Sequence, residues 1–204
     1  MEIPNWHSAV SQVKSILYSN LKIKEDARNY GTLYQGKRGL MVVDVVASRQ
    51  RKYSEYVLPK LLPVYQTKAK DLSLMSLSAK APTWMPLRTG EAEVMQLIAQ
   101  RLREYGKSKG IYEEDALCLA WAEDELAHVD ILNIKGIGPA LLQYLRMRSG
   151  ANSLKVDVRV IEALKKFGLP VEWFSPEGLL QLCTELATEC NCSLLELDQA
   201  LWHF

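Results

Sequence analysis

Apolar residues recur along this chain at intervals of three and four, the spacing of one face of an α-helix. Trp6, Ala9, Val10, Val13, Ile16 and Leu17 form the first such face, with Asn5 placed to cap it. Residues 20–40, ending YGTLYQGKRG, read as a loop with room for a short hairpin. From Leu40 to Tyr65, apolar clusters alternate with basic residues and predict one or two packed helices, interrupted near Pro59 and Pro63. APTWMP at 81–86 predicts a loop, because each proline pushes its predecessor away from helix. Val94, Met95, Ile98, Leu102 and Tyr105 make a stripe that Gly106 is expected to stop. Residues 111–132 predict two more helices, the second over roughly 123–132. Pro139 suits the first turn of a helix over about 139–148, and Asp157 precedes another at 158–167, closed by Gly168. Ser175-Pro176 opens a further helix. Ser193 with Glu196 forms a capping box before the last, which carries Leu194, Leu197, Leu201 and Trp202. With no strand-like run and no internal repeat, the pattern predicts an all-α protein of about ten helices.

Length and composition narrow the class. The 204 residues suffice to bury a core, and 48% hydrophobic with 24% charged residues excludes a disordered chain. No apolar run is long enough to span a bilayer, and MEIPNWHSAV lacks the pattern of a secretory signal. A cytoplasmic protein with no membrane partner is therefore expected, nucleoid-associated if prokaryotic. The four cysteines fit reduced thiols better than a disulfide framework.

Net charge is only +1, but the charges are sorted along the chain. Residues 111–130 hold seven acids and no Lys or Arg; residues 167–204 hold six acids and none. Between them lies a basic island of Lys135, Arg146, Arg148, Lys155, Arg159, Lys165 and Lys166. A second island gathers Lys37, Arg38, Arg49, Arg51, Lys52 and Lys60. Such patches hold a polyanion, or else are solvated helix faces.

The first island coincides with the most informative stretch, LNIKGIGPALLQYLRMRSGANSLKVDVRV at 132–160. Two helices joined by Gly136-Ile137-Gly138 would turn backbone N–H groups outward at a helix N-terminus, where they attract a phosphate. Asp157, nineteen residues beyond Gly138, stands at the start of the next helix. A carboxylate there caps the helix, and it also offers negative charge to a developing cation.

Ile134-Lys135-Gly136-Ile137-Gly138 followed by Val156-Asp157-Val158-Arg159 resembles the helix-hairpin-helix and Gly/Pro…Asp signature of the endonuclease III-like DNA glycosylase superfamily. Val45-Val46-Ala47-Ser48-Arg49-Gln50 is similar to the family's early helix, which ends in a Leu-Ser-x-Gln type sequence, and LELDQALW is similar to its C-terminal segments. The resemblance spans roughly residues 38–204 and is densest over 132–168. It implies a two-lobed helical fold. Residues 38–150 would form a helical barrel lobe ending in the hairpin; residues 1–37 with 151–204 would form the second lobe. It also implies a monomeric base-excision enzyme that hydrolyses the N-glycosidic bond of a damaged or mismatched base in double-stranded DNA. Asp157 would be the catalytic carboxylate; Lys135, Gly136, Ile137, Gly138 and Arg159 would hold the DNA backbone. Gln50 would fill the gap left by the flipped base.

The chain departs from the family in two respects. Bifunctional members carry a lysine two residues after the hairpin's last glycine, and here that residue is Ala140, so a monofunctional enzyme without AP-lyase activity is expected. Many members bind an iron–sulfur cluster through four C-terminal cysteines, whereas Cys183, Cys190 and Cys192 leave the set incomplete. No structural metal and no cofactor are expected, apart from a possible monovalent cation at the hairpin carbonyls. Trp84, Trp121, Tyr30, Tyr34, Tyr53 and Tyr144 are the aromatics that could stack on a base. The rival reading is a non-catalytic helix-hairpin-helix DNA-binding protein with the same fold.

Overall fold

The structure, a computed structural model, describes residues 3–204. Met1 and Glu2, the first residues of the segment 1–37 that sequence assigns to a second lobe, lie outside the described residues. Twelve α-helices and no strand occur among the described residues. In chain order they are α1 (Trp6–Ser19), α2 (Leu21–Tyr30), α3 (Arg38–Ala47), α4 (Leu62–Lys68), α5 (Leu74–Ala79), α6 (Glu91–Lys109), α7 (Glu114–Glu123), α8 (His128–Leu132), α9 (Pro139–Ser149), α10 (Val158–Lys166), α11 (Pro176–Cys190) and α12 (Leu194–Trp202). A π-helix over Tyr53–Leu61 precedes α4. Its wider turns accommodate Pro59, which lacks an N–H and crowds the carbonyl of the preceding turn.

The chain divides into two compact units. One comprises residues up to Gly31 together with Asn152–Phe204; the other is Thr32–Ala151. The first unit contains α1, α2, α10, α11 and α12 around Val13, Leu17, Ile23, Leu164, Leu182, Leu186 and Leu197. The capping box at Ser193 and Glu196 is present, and Ser175 caps α11 through the Gly178 N–H. Asn5, expected to cap α1, instead adopts φ 60 and donates from Nδ2 to the Gly168 carbonyl at 3.0 Å.

Residues 21–30 correct the expected loop. Asn20 accepts the Lys22 N–H and opens α2, while Ile23 and Ala27, one turn apart, bury against α12. Leu21 is exposed and most other positions are polar, so the buried face is too narrow for periodicity to reveal.

In the second unit every residue of α3 is buried, with α4, α5, α6, α7 and α9 packed around it. The α6 stripe passes straight through Gly106 and ends at Gly110, whose φ is 70. Gly106 is required for a different reason: a Cβ there would collide with the Leu117 side chain and the Ile111 carbonyl. The helix expected over 123–132 is broken. A 3-10 turn at Glu125–Ala127 leads into α8, which has only five residues.

Candidate nucleic-acid interface

The hairpin begins where α8 ends. Ile134 and Ile137 are buried, which pins both sides of the turn to the core and leaves Lys135 and Gly136 exposed between them. The Ile137 N–H donates to the Ile134 carbonyl at 3.0 Å, closing a β-turn. Gly136 has φ +95, a conformation that glycine reaches without strain. Pro139 then starts α9 with Gly138 as its N-cap, and no side chain among the described residues caps this end. The first α9 N–H bonded to a carbonyl is that of Leu142, on Gly138 at 3.0 Å.

Gly138 has an ordinary extended backbone, φ −111, and a Cβ there would meet nothing within 4 Å. Neither local geometry nor packing therefore demands a glycine at this position. The space a Cβ would occupy at this N-cap is open, beside an uncapped helix end whose dipole favours an anion.

On the other side of the turn, Arg49 Nη1 donates to the Gly136 carbonyl at 3.2 Å, and a Cβ on Gly136 would collide with that nitrogen. The cationic partner of this carbonyl is thus a guanidinium of the same chain. Gln50, next to Arg49, is exposed and has φ 53.

Asp157 lies in the other unit. It is the N-cap of α10, accepting the Arg159 and Val160 N–H groups on Oδ1 at 3.0 and 3.2 Å. Lys155 Nζ stands 3.3 Å from its Oδ2, and the Asp157 side chain keeps 20% of its exposure. The carboxylate is rigid and partly open to solvent. Arg159 is exposed, its guanidinium 4.2 Å from the centre of the Trp202 ring. Lys135 and Arg159 are each exposed to solvent, and Arg159 lies over the Trp202 ring.

Several aromatics proposed for base stacking have other work. Trp121 is buried against His128, with ring centroids 5.1 Å apart. Tyr34 and Tyr144 are buried, and their hydroxyls donate to Asp44 Oδ2 at 2.8 and 2.9 Å. Arg148 Nε stands 3.3 Å from the same oxygen, its guanidinium between the Tyr34 and Tyr144 rings. Burial, then the neighbouring Asp44 charge, push the Tyr34 phenol far above its ordinary range, so it stays a donor. Trp84 remains 40% exposed, stacked on Tyr65 at 5.9 Å.

Sequence reading missed the Asp44 network and a second one around Glu91. The first left a signal, a lone acid inside the apolar run LMVVDVV. A charge in such a run is buried and must find partners.

The four thiols are free; Cys118, Cys183 and Cys190 are buried. Burial, followed by the nearby Asp198 charge, pushes the Cys183 thiol up to about 12. Cys183, Cys190 and Cys192 are one thiol short of a four-thiolate set, and no group of three or more potential metal ligands gathers among the described residues. No described helix is long and apolar enough to cross a membrane.

Comparison with family models, curated proteins and solved structures gives no match.

Proposed function

We propose that this chain is a monofunctional DNA N-glycosylase that removes a damaged or mismatched base from double-stranded DNA. The observation that carries the reading is the hairpin: an uncapped α9 N-terminus faced by the empty space over Gly138, on a turn whose Gly136 is left-handed. A phosphodiester is the anion that suits such a seat, and neighbouring Lys135 adds charge without reading sequence.

Cleavage of the glycosidic bond builds positive charge on the deoxyribose. Asp157 suits that charge because two backbone N–H groups and Lys155 hold its carboxylate in one orientation. A fixed anion stabilises the oxocarbenium-like transition state and orients the attacking water. Ala140 offers no amine to the sugar, so the proposed product is an intact abasic strand. Such an enzyme works as a monomer on cytoplasmic or nucleoid DNA.

One observation favours a second reading. Both Asp157 oxygens already have partners in the protein, which is what a purely structural cap requires. The same fold would then be a non-catalytic DNA-binding protein.

The test is a panel of duplexes, each with one modified base, scored for base release and for strand breaks after alkali. Asp157→Asn is expected to lower release by about 10²–10³-fold while duplex affinity is kept. Release that survives Asp157→Asn would exclude the carboxylate mechanism, and salt-sensitive binding without release on any duplex would favour the inert binder.

A further inference from the structure

Beside the hairpin, three arginines converge on one buried carboxylate. Glu91 opens α6 and is fully buried; Arg51 Nη1 and Nη2 donate to its two oxygens, at 2.9 and 2.7 Å. The Arg88 backbone N–H also donates to Glu91, at 2.9 Å, and Arg49 Nη2 lies 3.7 Å away. The Arg88 side chain turns towards the end of α3. Its Nη2 donates to the Gln50 carbonyl at 3.0 Å, and its Nη1 to Gln50 Oε1 at 3.3 Å and to the Arg49 carbonyl at 3.5 Å.

Gln50 is one of three non-glycine residues with positive φ among the described residues, and the other two are Asn5 and Asn191. Asparagine tolerates this region through its short side chain; glutamine does not share that advantage. A glycine would fit the turn with less strain, so at this position the glutamine side chain is kept at a conformational cost that its contacts offset. Arg88 provides the hold. It grips the backbone carbonyl on either side of the Gln50 peptide N–H and fixes the amide by its oxygen. The Nε2 donor end of the exposed side chain is then the part that faces a ligand.

We propose that Arg88 is a positioning residue that keeps Gln50 as a rigid, donor-presenting probe of the gap in a DNA duplex where one nucleotide is missing from the stack. This inference rests on the DNA-binding reading of the hairpin. It takes over the gap-filling place proposed for Gln50 and adds that Arg88 acts through Gln50 and not on phosphate.

The experiment compares the full chain's affinity for an intact duplex and for the same duplex with one tetrahydrofuran abasic residue, at fixed salt. The wild-type chain is expected to prefer the abasic duplex. Gln50→Ala should reduce that preference about tenfold, the scale of one good hydrogen bond. Arg88→Met should reduce it by a similar factor with unchanged affinity for the intact duplex and an unchanged melting temperature. The double variant should fall no further than Gln50→Ala alone, because the two act as one unit.

Several results would overturn the proposal. An equal loss on both duplexes from Arg88→Met would make Arg88 a phosphate contact. An Arg88→Met chain with the wild-type preference, or a double variant showing the product of the two losses, would separate Arg88 from Gln50. Unchanged preference in Gln50→Ala would remove the probe while leaving the hairpin's grip standing. A wild-type chain that binds neither duplex would take the hairpin reading down together with the proposal.

Discussion

The two units differ in how much polar chemistry lies at their centres. The unit of residues up to Gly31 with Asn152–Phe204 has an apolar core: Leu182, Leu186 and Leu197 are surrounded by Val13, Leu17, Val160, Leu164 and Phe167. Among its described residues, Ser153 and Asp198 are the only buried polar side chains. The Thr32–Ala151 unit places a carboxylate in the middle of its most enclosed helix. Asp44 is fully buried, and three donors from α9 and from the segment before α3 converge on its Oδ2, while Oδ1 has no partner among the described residues. Arg38, also buried, pairs with Asp115 and donates to the Arg148 carbonyl at 2.9 Å. An apolar core tolerates many packings, whereas a buried charge is satisfied by few, so the polar centre fixes how α3 and α9 meet. The hairpin that feeds α9, and the Gln50 turn that ends α3, inherit that precision.

If this contrast is right, the most damaging single change in the molecule is at Asp44. Asp44→Ala leaves the buried Arg148 guanidinium uncompensated and is expected to cost about 3–5 kcal/mol. Urea unfolding followed by hydrogen exchange would place the loss in α3 and α9, with α11 keeping its protection. The matched change in the apolar core is Leu186→Ala, which removes a fully buried side chain from α11. Its cost is expected at about 3 kcal/mol, from lost transfer energy and the cavity left behind. Here the exchange loss should be confined to α1, α11 and α12. An Asp44→Ala variant more stable than Leu186→Ala would mean that the network is incidental and that both units rest on apolar burial alone.

The sequence disclosed local features and concealed distant ones, for physical reasons. The hairpin, the Asp157 cap and the Ser193–Glu196 box each depend on residues within four positions of one another, so their signals stand in short words of sequence. Helix α3 is legible as apolar but not as a helix with a face, because all ten of its residues are buried. Helix α5, six residues long, lies in a stretch without a clear stripe, and it was not foreseen. Gly106 looked like a stop because glycine usually is one, yet close approach of Leu117 is what it serves. The Asp44 network joins Tyr34, ten positions away, to Tyr144 and Arg148, each at least 100 positions away. Glu91 meets Arg51 across 40. Only the fold brings such pairs together, so Gln50 was visible as a candidate while Arg88, which holds it, was not.

The smallest effect is also the most selective. His128 is buried at the start of α8, directly before the hairpin, with Nε2 3.2 Å from the Trp121 carbonyl. A carbonyl only accepts, so Nε2 carries a proton in this contact. Burial, and then the Arg146 guanidinium, lower its pKa below the ordinary 6.5. The unfolded chain therefore takes up this proton at a higher pH than the folded chain does. The stability linked to His128 is complete above the unfolded value and declines as pH falls from about 6.5 through the lower folded value, at no more than about 1.4 kcal/mol per pH unit. His7 and His203 lie in the other unit and are exposed. Between pH 7 and pH 5, hydrogen exchange at α8 and α9 should accelerate before that at α11, and His128→Gln should flatten the difference. Acid that loosened α11 first would remove the link between buried polar groups and the Thr32–Ala151 unit, and with it the reason for expecting the hairpin's geometry to be the pH-sensitive part of the molecule.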